Sequence, residues 1–285
     1  MRVWALIFGL IATAAYAAES VYHERLTASK RIIESNAIPN HMPGQFPNRG
    51  NPHRIEAQSF RFEMPLYPKM NAGSIQLDRS LFGVAVNGVP FDPGTAETWE
   101  NRRDTIWRVE GIHPTQGGQL GLDVHNAHVQ PTGTYHYHGI PHGLVASQAK
   151  KGTRLIGYAA DGFPIYAPRD NYQSSYRLKA GSRPGGSDAP SGRYDGTYTP
   201  DFEYVEGLGN LDACNGQFAS TNEHPDGIYH YVLTETFPYI PRCFMGTPDH
   251  SFRKANMGGG GRGGEGGMRS HGHRHPHPHR HPHRF

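Results

Sequence analysis

The chain has 285 residues, with 28 Lys and Arg against 25 Asp and Glu, and 19 histidines, for a formal net charge of +3. Beyond residue 254, Arg262, Arg269, Arg274, Arg280 and Arg284 against Glu265 contribute +4, so everything before it sums to −1. The body thus has no basic stripe and no nucleic-acid motif, which excludes a nucleic-acid binder, and after the first 17 residues no apolar run is long enough to span a membrane.

Residues 1–17 read as a signal peptide: Arg2 precedes the apolar run "VWALIFGLIATAA", and Ala15-Tyr16-Ala17 is a cleavage site of the A-x-A type. The expectation is a secreted or periplasmic protein. Residues 18–40 form an N-terminal segment in which Ser20 could cap a short helix with Tyr22, Leu26, Ser29 and Ile33 on one side. The body spans 41–254 and opens with the turn-rich "HMPGQFPNRGNPH". Alternation of Phe60, Phe62 and Met64 predicts a strand. Asn87-Gly88 in "LFGVAVNGVPFD" predicts a hairpin, "TIWRVEGI" a further strand, and Asp161-Gly162 in "RLIGYAADGFPIYAP" a second hairpin. Residues 179–197 read as a surface loop, and "GIYHYVLTETF" as a strand. Little helix is predicted after residue 40. Residues 255–285, rich in Gly and His, cannot bury enough apolar surface to offset ordering entropy, so a disordered tail is expected.

The body repeats itself. "AVNGVPFDP" from residue 85 resembles "AADGFPIYAP" from 159, "LDVHNAHV" from 122 resembles "LDACNGQF" from 211, and "GTYHYH" from 133 resembles "GIYHYV" from 227. Three matches in the same order predict two related β-units, about 84–144 and 158–239, packed as one compact, mainly β domain with few short helices. Cys214 and Cys243 are the only cysteines. In an oxidising compartment they are expected to form one disulfide, contributing about 3–4 kcal/mol.

Five histidines fall within 125–142: His125, His128, His136, His138 and His142. In a strand, His136 and His138 share one face, while Tyr135 and Tyr137 take the other and enter a core. Two imidazoles at i and i+2, with His125-x-x-His128 upstream, predict one metal site, with Asp123, Asn126 and His230 as supporting or reserve residues. No thiolate is free, and imidazole suits Cu(II) and Zn(II), copper first and zinc second. In the tail His271, His273, His275, His277, His279, His281 and His283 form a separate polydentate metal ligand.

"ESNAIPNHMPGQFPNRGNPHRI", "GLDVHNAHVQPTGTYHYHGIPHGL", "IGYAADGFPIYAP", "LDACNGQF" and "GIYHYVLTETFPYIPRCFMGTPD" together resemble the YHYH-domain proteins, a mostly bacterial, secreted group named for its Tyr-His-Tyr-His motif. The resemblance implies secretion and a compact β-rich domain. Carried over onto this chain, it implies a polar centre at His125, His128, His136 and His138, with His41 in a matching stretch. The expected function is metal binding or handling, with metal ions as partners. A metal-dependent hydrolase or oxidoreductase using the same histidines is the alternative, and a glycan- or partner-recognition module the second alternative.

Overall fold

A computed structural model describes residues 18–113 and 120–254. The expected signal peptide at 1–17 and the expected disordered tail at 255–285, with its seven histidines, lie outside the described residues.

The described chain opens with a hairpin where the spacing predicted a helix. β1 (Tyr22–Leu26) pairs antiparallel with β2 (Lys30–Ser35), Tyr22 opposite Ser35 and Leu26 opposite Arg31. Thr27 makes the turn: its amide donates to the Lys30 carbonyl at 2.8 Å, and its hydroxyl accepts from the Lys30 amide at 2.9 Å. The helical spacing of Tyr22, Leu26 and Ile33 is therefore split between two strands; in β2, Ile32, Ile33 and Ser35 are buried and Glu34 is exposed. β3 (Phe60–Pro65) completes this sheet, with Phe60, Phe62 and Met64 buried on one face as predicted.

The remaining strands are short, as expected of a chain rich in Gly and Pro. They are β4 (Ile75–Gln76), β5 (Gly83–Ala85), β6 (Pro90–Phe91), β7 (Ala127–Val129) and β8 (Tyr135–Tyr137), then helix α1 (His142–Lys150). After it come β9 (Leu155–Ala159), β10 (Pro164–Tyr166), β11 (Tyr176–Leu178), β12 (Phe202–Tyr204), β13 (Gly216–Ala219), β14 (Ile228–Val232) and β15 (Cys243–Phe244). Eight of them form the main sheet in the order β13-β14-β10-β9-β5-β6-β8-β7. From either edge the pairing reads antiparallel, parallel, antiparallel, with the antiparallel pair β5–β9 at the centre. Glycine makes that central contact possible: a Cβ on Gly83 would meet the Tyr158 carbonyl oxygen at 2.4 Å, and one on Gly157 the Val84 carbonyl oxygen at 2.6 Å. The core beneath is aromatic. Phe82 stacks on Phe244 at 5.3 Å and meets the edge of Tyr231 at 5.0 Å, and Phe62 stacks on Phe252 at 4.8 Å.

The matched segments make like contacts. Asp123 accepts from the Tyr135 hydroxyl at 2.7 Å, and Asp212 from the Tyr229 hydroxyl at 2.9 Å. Asn126 and Asn215 both hold a left-handed backbone, φ 54° and 53°. Asn87 donates to the Tyr137 hydroxyl, and Asp161 accepts from the Tyr231 hydroxyl. Both residues, expected as simple turn positions, thus bind a buried tyrosine.

Three further readings need correction. "TIWRVEGI" forms only the isolated bridges Thr98–Arg108 and Val109–Tyr198, because its amides bond to neighbouring loops. The loop at 179–197 is not wholly at the surface: Arg183 is buried and ion-paired with Asp201 at 2.5 Å. α1 was not anticipated; it follows Pro141 with no side-chain cap, and buries Leu144 and Gln148 one turn apart. The disulfide between Cys214 and Cys243 is present, and it ties β15 to the segment that enters β13. Among the described residues, no helix is long and apolar enough to cross a membrane.

Candidate metal centre

β8 is a strand with two chemical faces. Tyr135 and Tyr137 point into the core, where burial pushes both phenols far above the usual tyrosine range. His136 points the other way. β7 pairs antiparallel with β8 and sets His128 directly opposite His136, so both imidazoles rise from one face. His138 follows one residue beyond the strand. Its amide donates to the Asn126 carbonyl at 2.7 Å, which extends the pairing and returns its ring to the His136 side.

The turn before β7 is built by Asp123. One carboxylate oxygen accepts from the amides of His125 and Ala127 at 2.8 and 3.1 Å; the other accepts from the Gly44 amide and the Tyr135 hydroxyl at 2.9 and 2.7 Å. Asn126 donates to the Ile140 carbonyl at 3.0 Å. Asp123 and Asn126 thus hold the scaffold in register and contribute no ligand atom to the triad.

His128, His136 and His138 form a nearly equilateral group, with ring centroids 4.6 and 4.7 Å apart. Nε2 of His136 lies 2.9 Å from Nε2 of His138, and that atom lies 3.1 Å from Nε2 of His128. Imidazole nitrogens at about 2.05 Å from one ion and 90–110° apart stand about 2.9–3.4 Å from one another, so these spacings fit a shared ion.

The hydrogen bonds fix the proton positions on two rings. Nδ1 of His128 bonds to the Leu120 carbonyl at 3.0 Å and Nδ1 of His136 to the Thr134 carbonyl at 3.2 Å. A carbonyl only accepts, and for His128 it lies nearer than the Asn51 side-chain amide at 3.4 Å, so both Nδ1 atoms are assigned the hydrogen and both Nε2 atoms present lone pairs. His138 can offer one hydrogen to that pair at most, and only by leaving its own Nδ1, which is buried and has no partner among the described residues, as a bare acceptor. A cation at the centre satisfies three lone pairs at once. Burial lowers the pKa of His128 and drives those of His136 and His138 well below the usual range, so protons compete weakly for these nitrogens. Gly111 makes room for His138: a Cβ there would lie 2.9 Å from its Nδ1.

Two histidines expected among the ligands stand elsewhere. His125 lies on the tyrosine side, where its Nε2 donates to the Met42 carbonyl at 2.9 Å and its Nδ1 accepts from the Gly143 amide at 3.1 Å. The turn held by Asp123 sends positions 125 and 128 to opposite sides of the sheet. His142 opens α1, exposed, 3.5 Å from the Asn126 amide nitrogen. His41 joins the tyrosine side too, its Nε2 2.7 Å from the Tyr137 hydroxyl and its ring against His125 at 4.2 Å. His230 occupies the matching place in the other half. It faces Gln217 across the strands and is followed by Val232, so no second triad forms there.

The triad is not sealed. A cavity of about 400 Å³ reaches His128 and His136 and is walled by Asn51, Asp92, Glu97 and Lys254. Sequence reasoning passed over all four, because they come from separate loops. Asp92 carried the only local signal, as the acid before the last proline of "NGVPFDP" where the matched segment has Tyr166. It is buried and ion-paired with Lys254 at 2.8 Å.

No curated protein matches the sequence, and no solved structure matches it. The family model described as YHYH protein matches residues 61–246, a span that contains the main sheet, the histidine triad and both cysteines. The chain is therefore a member of the YHYH protein family.

Proposed function

We propose that this chain is an exported metal-binding protein whose body holds one divalent ion on Nε2 of His128, His136 and His138. The observation that carries the reading is the convergence of three neutral imidazoles, His136 and His138 buried and His128 half-buried, with His128 and His136 oriented by carbonyl hydrogen bonds. Copper is the first choice and zinc the second, since imidazole suits both and divalent copper binds more tightly to most nitrogen sites. Export rests on the leader-like first 17 residues and on the Cys214–Cys243 disulfide. The tail histidines act as a second, looser collector of ions.

A metal-dependent enzyme is the second reading. It is favoured by the cavity that reaches His128 and His136, since three protein ligands with an open fourth position distinguish catalytic from structural zinc sites. Such an ion supplies Lewis acidity toward an oxygen ligand. In this reading Asp92, Glu97 and Lys254 surround the reacting group.

The test is elemental analysis after dialysis of full-length protein whose seven tail histidines are replaced by serine. One equivalent of copper or zinc is expected, and it should vanish when His136→Ala and His138→Ala are added. Absence of bound metal in the first protein, or its survival in the second, rejects the site.

A further inference from the structure

A second cavity, of about 560 Å³, adjoins the one over the triad: Gly94, Thr95 and Lys254 line both. Its walls carry Arg79, Arg108 and Arg242 along with Lys254, against one lining carboxylate, Asp78. Two of these cations already have partners. Arg242 is paired with buried Glu110 at 2.7 Å, and Lys254 with buried Asp92. Arg79 and Arg108 form no ion pair among the described residues.

The backbone fixes where these charges stand. The Lys254 amide donates to the Arg79 carbonyl at 3.0 Å, and Ser80 bridges Arg253, so residues 79–80 run beside 253–254. Arg79 itself holds φ 40°, a left-handed backbone that a non-glycine residue adopts only when its surroundings enforce it. Across the groove, Arg108 bridges Thr98 and donates to the Thr95 carbonyl at 3.3 Å.

Charge balance points the same way. Three neutral imidazoles bring no negative charge to an ion. Arg242 and Lys254 both act electrostatically on His138, and their partners Glu110 and Asp92 cancel only those two charges. Asp78 and Glu97, also on the walls, match Arg79 and Arg108 in number, so it is the charge of a divalent ion in the triad that would leave the joined cavities net positive. An anionic ligand would offset that charge.

Resting on the proposed metal centre, we infer that the joined cavities bind a small organic oxyanion, a carboxylate or phosphate, whose acid group is held by Arg79 and Arg108 while the rest of the molecule lies toward the triad. Guanidinium groups match both anions as paired donors. The two cavities together exceed what inorganic phosphate fills and lie in the range of small-molecule sites, so the acid is a head group on a larger molecule.

The test is calorimetric titration of the full-length, zinc-loaded protein at low salt with inorganic phosphate and, separately, with acetate. The tail is common to every protein compared. Arg79→Gln with Arg108→Gln should weaken the better-bound anion at least about tenfold while the zinc content stays as in the parent. Arg79→Lys with Arg108→Lys should recover part of the binding, which separates lost charge from a damaged fold. His136→Ala with His138→Ala should lose one zinc equivalent yet keep binding that depends on the two arginines. Equal affinity in the parent and the glutamine variant overturns the inference. If the parent holds no triad zinc but the glutamine variant still loses the anion, the groove stands and the metal reading falls.

Discussion

His138 is the imidazole that joins the other two. Its Nε2 touches both of the other rings, its Nδ1 has no partner among the described residues, and the space beside it exists because residue 111 has no side chain. Gly111→Ala would put a methyl group 2.9 Å from Nδ1 and tilt the ring off the shared centre. The expected result is a 10–100-fold loss of metal affinity, the usual effect of disturbing an orienting contact, with little change in melting temperature; a competitive chelator titration measures it. The placement of His136 and His138 on one face was legible in the sequence, because strand alternation depends only on residue parity. The choice between His125 and His128 was not. It depends on the turn that Asp123 and the left-handed Asn126 build, and a spacing of three residues through an irregular turn has no fixed direction.

Hairpins were the most legible elements. Asn87-Gly88 and Asp161-Gly162 both turn with a left-handed glycine, φ 82° and 90°, a conformation that glycine adopts without strain. The β1–β2 hairpin was misread because its turn, Thr27 to Lys30, contains no glycine and its apolar residues coincide with helical spacing. α1 was missed because it is short, has no side-chain cap, and buries only two side chains. The β7–β8 pair depends on Asp123, which accepts four hydrogen bonds, from Gly44, His125, Ala127 and Tyr135. Asp123→Ala strands three amides and a buried phenol. The expected cost is about 2–4 kcal/mol in denaturant unfolding, together with weaker metal binding, although Asp123 touches none of the three ligand rings.

At the scale of the whole molecule the fold class followed from turn-rich composition and repeated hairpins, whereas the groove beside the triad could not be read. Its cations come from residues 79, 108, 242 and 254, which only the folded chain brings together. Global stability should also carry a mark of one buried acid. Burial raises the Asp161 pKa to about 6, against hydrogen bonds from the Tyr231 hydroxyl and the Gly246 and Phe163 amides that pull it down. In the unfolded chain this carboxyl titrates near 4. Between about pH 4 and 6 the folded state therefore holds more of the proton, so stability falls as pH rises through that window and levels off above it. The change is on the order of 3 kcal/mol. Asp161→Asn, which installs the residue found at position 87, should remove this part of the slope; urea unfolding at pH 4, 5, 6 and 7 measures it.

The alternation of tyrosine and histidine along β8 has one further consequence. A slip of one residue against β7 would exchange the faces, sending imidazoles into the aromatic core and phenols into the cleft. Only the native alignment presents three nitrogens to one point. Under the proposed function, capture of the ion is thus a proofreading step: a chain that has taken up its metal has, by that fact, threaded its hairpin correctly.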